Sequence, residues 1–170
     1  MNSNSLLVDL GCGDGWFSFE IATAASHIDA IDISENLIQI AKHTQKINKI
    51  NNVNFTVGEV DQVIAANTLY DSVMCMGLFT CILKDYVMSK IITDITSKLK
   101  PNGILLVRDS FNKTVTQLFE QEGYVAVYRR EDHYTRLFTD KGFELCDEGQ
   151  LSDSISDTGY FSGFKIFRKV

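Results

Sequence analysis

Residues 9–15 read Asp9-Leu10-Gly11-Cys12-Gly13-Asp14-Gly15, with glycine at every second position. The apolar run Leu6–Leu10 before them has the pattern of a buried parallel strand. Residues 16–25 after them read as a helix with Phe17, Ile21 and Ala24 or Ala25 on one face. Strand, glycine turn and helix in that order belong to an open α/β sheet. In such sheets ligands bind at the carboxyl ends of the strands, where this turn sits. Glycine lets the backbone come close to a ligand where a Cβ would intrude, and the helix start favours negative charge at the same spot.

The alternation continues along the chain. Ile28-Asp29-Ala30-Ile31-Asp32 reads as a second strand, and Ser34 caps a second helix with Ile33 and Ile38 placed as a hydrophobic staple. Residues 53–57 and 71–76 read as the third and fourth strands, with a short segment around 61–66 between them. Met88, Ile91, Ile92, Ile95 and Leu99 recur at helical spacing until Pro101-Asn102-Gly103, and Ile104–Val107 reads as a buried fifth strand. Strands and helices alternating at this spacing imply right-handed βαβ units and one parallel sheet. Residues 115–121 and 124–130 alternate about Glu122-Gly123 as a β-hairpin, and residues 131–141 read as a helix. Two more strands, 143–146 and 160–167, flank the polar stretch Ser152–Thr158; the last is expected to add antiparallel at the sheet edge.

A dinucleotide fingerprint needs G-x-G-x-x-G. Counting from Gly11, its third glycine falls on Trp16, which weighs against a nicotinamide-dependent oxidoreductase. The spacing present, with Asp9 ahead of it, resembles motif I of the Rossmann-like (class I) S-adenosylmethionine-dependent methyltransferases. The likeness runs in order through residues 5–110. Asp32 matches the acid that holds both ribose hydroxyls, followed by Ile33. Val57-Gly58-Glu59-Val60 resembles the adenine site, with Glu59 where aspartate is commoner and Asp61 as a fallback. Asp71 through Leu78 looks like the fourth motif near the reactive methyl, and Leu99–Gly103 is similar to the turn before the fifth strand.

The resemblance implies a three-layer α/β sandwich: a mostly parallel seven-stranded sheet with an antiparallel edge strand, plus the hairpin after the fifth strand. It implies S-adenosyl-L-methionine as cofactor, held by Asp9, Gly11, Cys12, Gly13, Gly15, Asp32, Ile33, Glu59, Val60 and Met76. The reaction implied is in-line methyl transfer to a small-molecule acceptor. A positively charged donor is already activated, so the protein mainly aligns and excludes water, and a base is needed only where the acceptor must lose a proton. Asp109 after the fifth strand and His133 on the late helix are the candidates for that role. Met76, Gly77, Leu78 and Phe79, and the hairpin's Phe119, Tyr124 and Tyr128, are candidates for the acceptor side.

Length and charge bound the rest. The 170 residues, 45% apolar, suit a single domain with a real core. A net charge of −6 weighs against nucleic acid, and therefore against a tRNA methyltransferase. Arg129-Arg130 and Arg168-Lys169 read as solvated ends of elements. Cys12, Cys75, Cys81 and Cys146 show no CxxC pair, so no metal site is expected; reduced, partly buried thiols suit the cytoplasm. No apolar run reaches the roughly 18 residues of a membrane span. Only eight residues precede Asp9, where the family usually carries capping helices. The cofactor site is thus expected to be open, or covered by the hairpin at 115–130, a homodimer mate or a partner subunit, unless the chain is part of a longer protein. A domain that holds the cofactor without transferring methyl, or a subunit active only with its partner, is a second functional class, and a protein or tRNA methyltransferase is a third.

Overall fold

The computed structural model describes residues 5–65, 67–151 and 159–170. The polar stretch at 152–158 lies outside them. The first half alternates as its sequence predicts: β1 (Leu6–Leu10), α1 (Trp16–Ile21), β2 (His27–Asp32), α2 (Glu35–Asn48) and β3 (Val53–Val57). Then come α3 (Val60–Ala65), β4 (Tyr70–Met76), the short α4 (Leu78–Cys81) and α5 (Asp85–Lys98). The second half is β5 (Leu99–Asn112), the hairpin β6 (Gln117–Gln121) and β7 (Tyr124–Arg130), α6 (Glu131–Thr139), β8 (Phe143–Gln150) and β9 (Tyr160–Lys169).

Parallel pairing gives the order β3-β2-β1-β4-β5. The antiparallel strand β9 lies along β5 from Ile104 to Asn112 and pairs with β8 on its other side. It therefore sits one place in from the edge, and β8 is the outer strand. The fifth strand is 14 residues long rather than four. Pro101-Asn102-Gly103 does not precede it but is absorbed as a register shift opposite Tyr70 and Ser72, with Asn102 at φ 61°. At its other end β5 outruns β4, whose pairing stops at Met76–Arg108, and β7 pairs with it at Phe111 and Asn112.

Each face of the sheet has its own core. Met88, Ile92 and Ile95 of α5 and Tyr134 and Phe138 of α6 pack on Val73, Leu105, Val107, Phe111 and Phe167. The Phe138 and Phe167 rings stack at 4.6 Å. On the opposite face Ile38 and Ala41 of α2 pack on Ile28, Ala30 and Phe55.

Arg129, expected at a solvated strand end, is 1% exposed. Its guanidinium donates to the carbonyls of Phe79 (2.9 Å) and Ile82 (2.6 Å) and to the Asp85 carboxylate (2.8 Å). Of the two carbonyls, that of Phe79 also takes the Ile82 N–H at 3.2 Å, while that of Ile82 lies past the end of the one-turn α4, and a planar fork of donors meets both. Lys165 is equally enclosed, between Glu131 and Glu148 and over the Phe111 ring. Arg129→Ala would leave the Ile82 carbonyl without its donor, take one donor each from Phe79 and Asp85, and empty a buried side-chain site. The expected loss of stability is about 3 kcal/mol, seen as a lower urea midpoint at unchanged slope. A loss under about 1 kcal/mol would mean that water replaces the guanidinium without cost.

Candidate functional site

The turn after β1 is fixed by backbone. Gly11 and Cys12 donate their N–H groups to the Ile31 carbonyl, at 2.8 and 3.0 Å. Gly11 and Gly15 hold φ values of 73° and 83°. A Cβ on Gly15 would come within 2.6 Å of the Phe55 ring, so no larger residue fits there. The Gly13 N–H meets Asp32 Oδ2 and the Ser34 N–H meets Asp32 Oδ1, both at 2.8 Å. Gly58 donates to the Asp32 carbonyl at 2.9 Å, so one residue braces the turns after β1, β2 and β3.

These turns and helices α4 and α5 enclose a cavity of about 610 Å³. Of the residues expected to hold a cofactor, Gly11, Asp32, Ile33, Glu59, Val60 and Met76 lie together on its wall. Asp9, Cys12, Gly13 and Gly15 are not on that wall. Asp9 is buried behind the turn, where its Oδ2 accepts the Ser18 hydroxyl at 2.6 Å. Cys12 is buried, and burial pushes its thiol well above the usual range. Gly13 orients Asp32, and Gly15 starts α1. Ile33 does not staple α2: it is 74% exposed at the mouth of the cavity, while Ile38 is buried.

Neither base candidate reaches the wall. Asp109 is 3% exposed and points into the core beneath α5 and α6, behind the cavity wall. Its carboxylate accepts the Thr80 N–H (2.9 Å), the Thr80 hydroxyl (2.5 Å) and the Tyr134 hydroxyl (2.6 Å). His133 pairs with Asp85 at 2.7 Å in a separate groove beside Thr116 and Arg130. Asp71 lies at the opposite end of the strands, where Lys100 and the Leu6 N–H hold it below the ordinary carboxylate range. Of the acceptor-side candidates, Met76, Gly77 and Leu78 line the cavity and Phe79 is core. Sequence reasoning missed the far wall: Ile82, Val87, Lys90 and Ile91. Val87 and Ile91 continue the apolar stripe of α5, and only that stripe's width signals a second packed surface.

A family model described as a methyltransferase domain matches residues 1–142. The chain belongs to the methyltransferase-domain family. Ubiquinone biosynthesis O-methyltransferase of Rickettsia canadensis is 29% identical over 103 residues, 59% of this chain and 41% of that protein. Malonyl-[acyl-carrier protein] O-methyltransferase of Bacillus anthracis is 29% identical over 175 residues, 99% of this chain and 62% of that protein. The methyltransferase domain described here thus spans less than two-thirds of either relative. A crystal structure of a SAM-dependent methyltransferase from Methanosarcina mazei shares the fold, with a TM-score of 0.81 at 18% identity, covering 100% of this chain and 94% of that one.

Two buried acids in this methyltransferase domain carry displaced titrations. Burial raises Asp9 to about 7 and Asp109 to about 6, against the ordinary carboxylate value of about 4. Asp9 Oδ1 has no hydrogen-bond partner, which fits a carboxyl that keeps its proton. A buried acid with a raised folded value holds a proton that the unfolded chain has released. Its contribution to stability therefore falls as pH rises from about 4 to about 7, and is level above that. Asp9→Asn should flatten this fall, measured as a smaller difference in urea midpoint between pH 5 and pH 7.5 than in the unsubstituted chain. An equal or larger difference would mean that Asp9 is ionised when folded.

Proposed function

We propose that the chain transfers a methyl group from S-adenosyl-L-methionine to an oxygen of a small-molecule acceptor. The observation that carries this reading is the Asp32 carboxylate, held rigid by the Gly13 and Ser34 N–H groups on the wall of the cavity. Each of its oxygens keeps a lone pair beyond the backbone contact, so it can accept two neighbouring hydroxyls. The residues present fit the cofactor. Asp32 would take the ribose hydroxyls, and Glu59 with the N–H of Val60 would take the adenine edge. Leu78, Ile82 and Ile91 form an apolar slot for a flat ring. The turn at Gly11 would face the amino-acid end, and Met76 and Gly77 would bound the reacting end.

When bound, the cofactor supplies a methyl group already activated by the sulfonium charge. The chain's own residues position it and exclude water, which is where the rate gain arises for such a donor. Asp109 is read here as a positioning residue: it ties Thr80 of α4 to Tyr134 of α6 behind the site. Both curated relatives named above are O-methyltransferases, which supports an oxygen nucleophile. The four free cysteines support a reducing, cytoplasmic setting. Calorimetric titration with S-adenosylmethionine and its demethylated product tests the reading, and binding of neither would overturn it. Asp32→Ala should weaken binding by about 1–3 kcal/mol, roughly five- to 150-fold. An unchanged affinity would move the ribose site elsewhere.

A further inference from the structure

The chain has five arginines. Four are paired: Arg129 with Asp85, Arg130 and Arg136 with Asp132, and Arg168 with Glu144. Arg108 is the exception. Among the described residues its guanidinium makes no hydrogen bond, ion pair or contact over a ring. In a chain of net charge −6 this is not for want of acids.

Its position is specific. On β5, Val107 and Asp109 turn into the buried core, which puts Arg108 on the other face with Leu106 and Ser110, all half-buried. Directly across the strands are Met76 on β4 and Phe164 on β9. The Arg108 carbonyl accepts the Gly77 N–H at 2.6 Å, so its backbone is fastened to the reacting end of the cavity. Tyr160 shares this face, opposite Asn112 and about 13 Å further along at the strand rise. It meets the Tyr128 ring at 4.9 Å, and Tyr128 stacks on Phe119 at 5.3 Å. A guanidinium with no partner among the described residues thus stands beside Phe164, one strand beyond the cofactor cavity, with the Tyr160, Tyr128 and Phe119 cluster further along the same face.

We infer that the acceptor is an aromatic carboxylic acid, its carboxylate held by Arg108 and its ring laid against the neighbouring Phe164 on the same face. A guanidinium matches a carboxylate with two parallel hydrogen bonds, and flat rings stack offset or edge-on against other rings. This rests on the methyl-transfer reading. The same carboxylate chemistry could come from the amino-acid end of the cofactor, but Arg108 is not on the wall that holds Gly11 and Asp32.

The full chain is titrated with 2-naphthoate, 2-naphthamide and hexanoate, with and without S-adenosylhomocysteine. Naphthoate should bind at least tenfold more tightly than either of the others. Arg108→Gln should lose that tenfold and Arg108→Lys recover part of it, while both keep S-adenosylhomocysteine affinity within twofold, which also reports that they fold. Equal binding of acid and amide, naphthoate binding unaffected in Arg108→Gln, or hexanoate matching naphthoate would each overturn the inference. So would a tenfold loss of S-adenosylhomocysteine in Arg108→Gln, which would give the arginine to the cofactor. If the unsubstituted chain binds no S-adenosylhomocysteine, the methyl-transfer reading fails, and the naphthoate arms without it still judge Arg108.

Discussion

The three turns that form the near wall of the cavity depend on the last two residues of β2. The Ile31 carbonyl takes two N–H groups from the glycine turn, the Asp32 side chain takes one from that turn and one from the start of α2, and the Asp32 carbonyl takes Gly58. Three crossovers that are distant in sequence are registered against one strand end. Backbone hydrogen bonds of this kind leave little freedom to the groups they hold. The glycines matter as much for letting the turn reach β2 as for leaving room in front of it.

A second link joins the far side of the cavity to the hairpin. Because α4 is a single turn, its carbonyls need donors from elsewhere, and Arg129 brings them from β7. Asp109 supplies the converse from β5, an acceptor for the Thr80 N–H and hydroxyl. The segment between β4 and α5, which supplies Leu78, Cys81 and Ile82 to the cavity, is thereby held by side chains from the half of the molecule that carries the aromatic strip. The wall formed by α4 and the hairpin half of the molecule are one mechanical unit, and buried polar networks of this sort specify position more than they add stability.

What was legible in the sequence was whatever repeats locally. The apolar runs of β1, β2 and β4, the cap at Ser34 and the glycine turn each carry their own signal within a few residues. The outer half of β5 was hidden because Asp109 and Asn112 look like a loop, and both are buried. The partners that satisfy Asp109, Thr80 and Tyr134, are 29 and 25 residues away. Arg129 was read as solvent-facing for the same reason: its acceptors lie 44 to 50 residues upstream. Of the positions that the family resemblance implied, Gly11, Asp32 and Glu59 line the cavity, whereas Asp9, Gly13 and Gly15 stand off its wall. The α5 wall and the remoteness of His133, tied to an acid 48 residues back, depend on tertiary packing that no local pattern encodes.

The placement of β9 has a consequence for how the chain is made. It is the last strand in sequence, yet it fills a slot between β5 and β8. Until it emerges, nine residues of β5 from Ile104 to Asn112 present an open row of amide and carbonyl groups, and β8 has no strand partner among the described residues. An unpaired, largely apolar strand edge is the feature most prone to pairing with the wrong neighbour. One strand thus closes both edges, and its Phe161 and Phe167 complete the core on that face, so the sheet on that side and the packing beneath it are secured together.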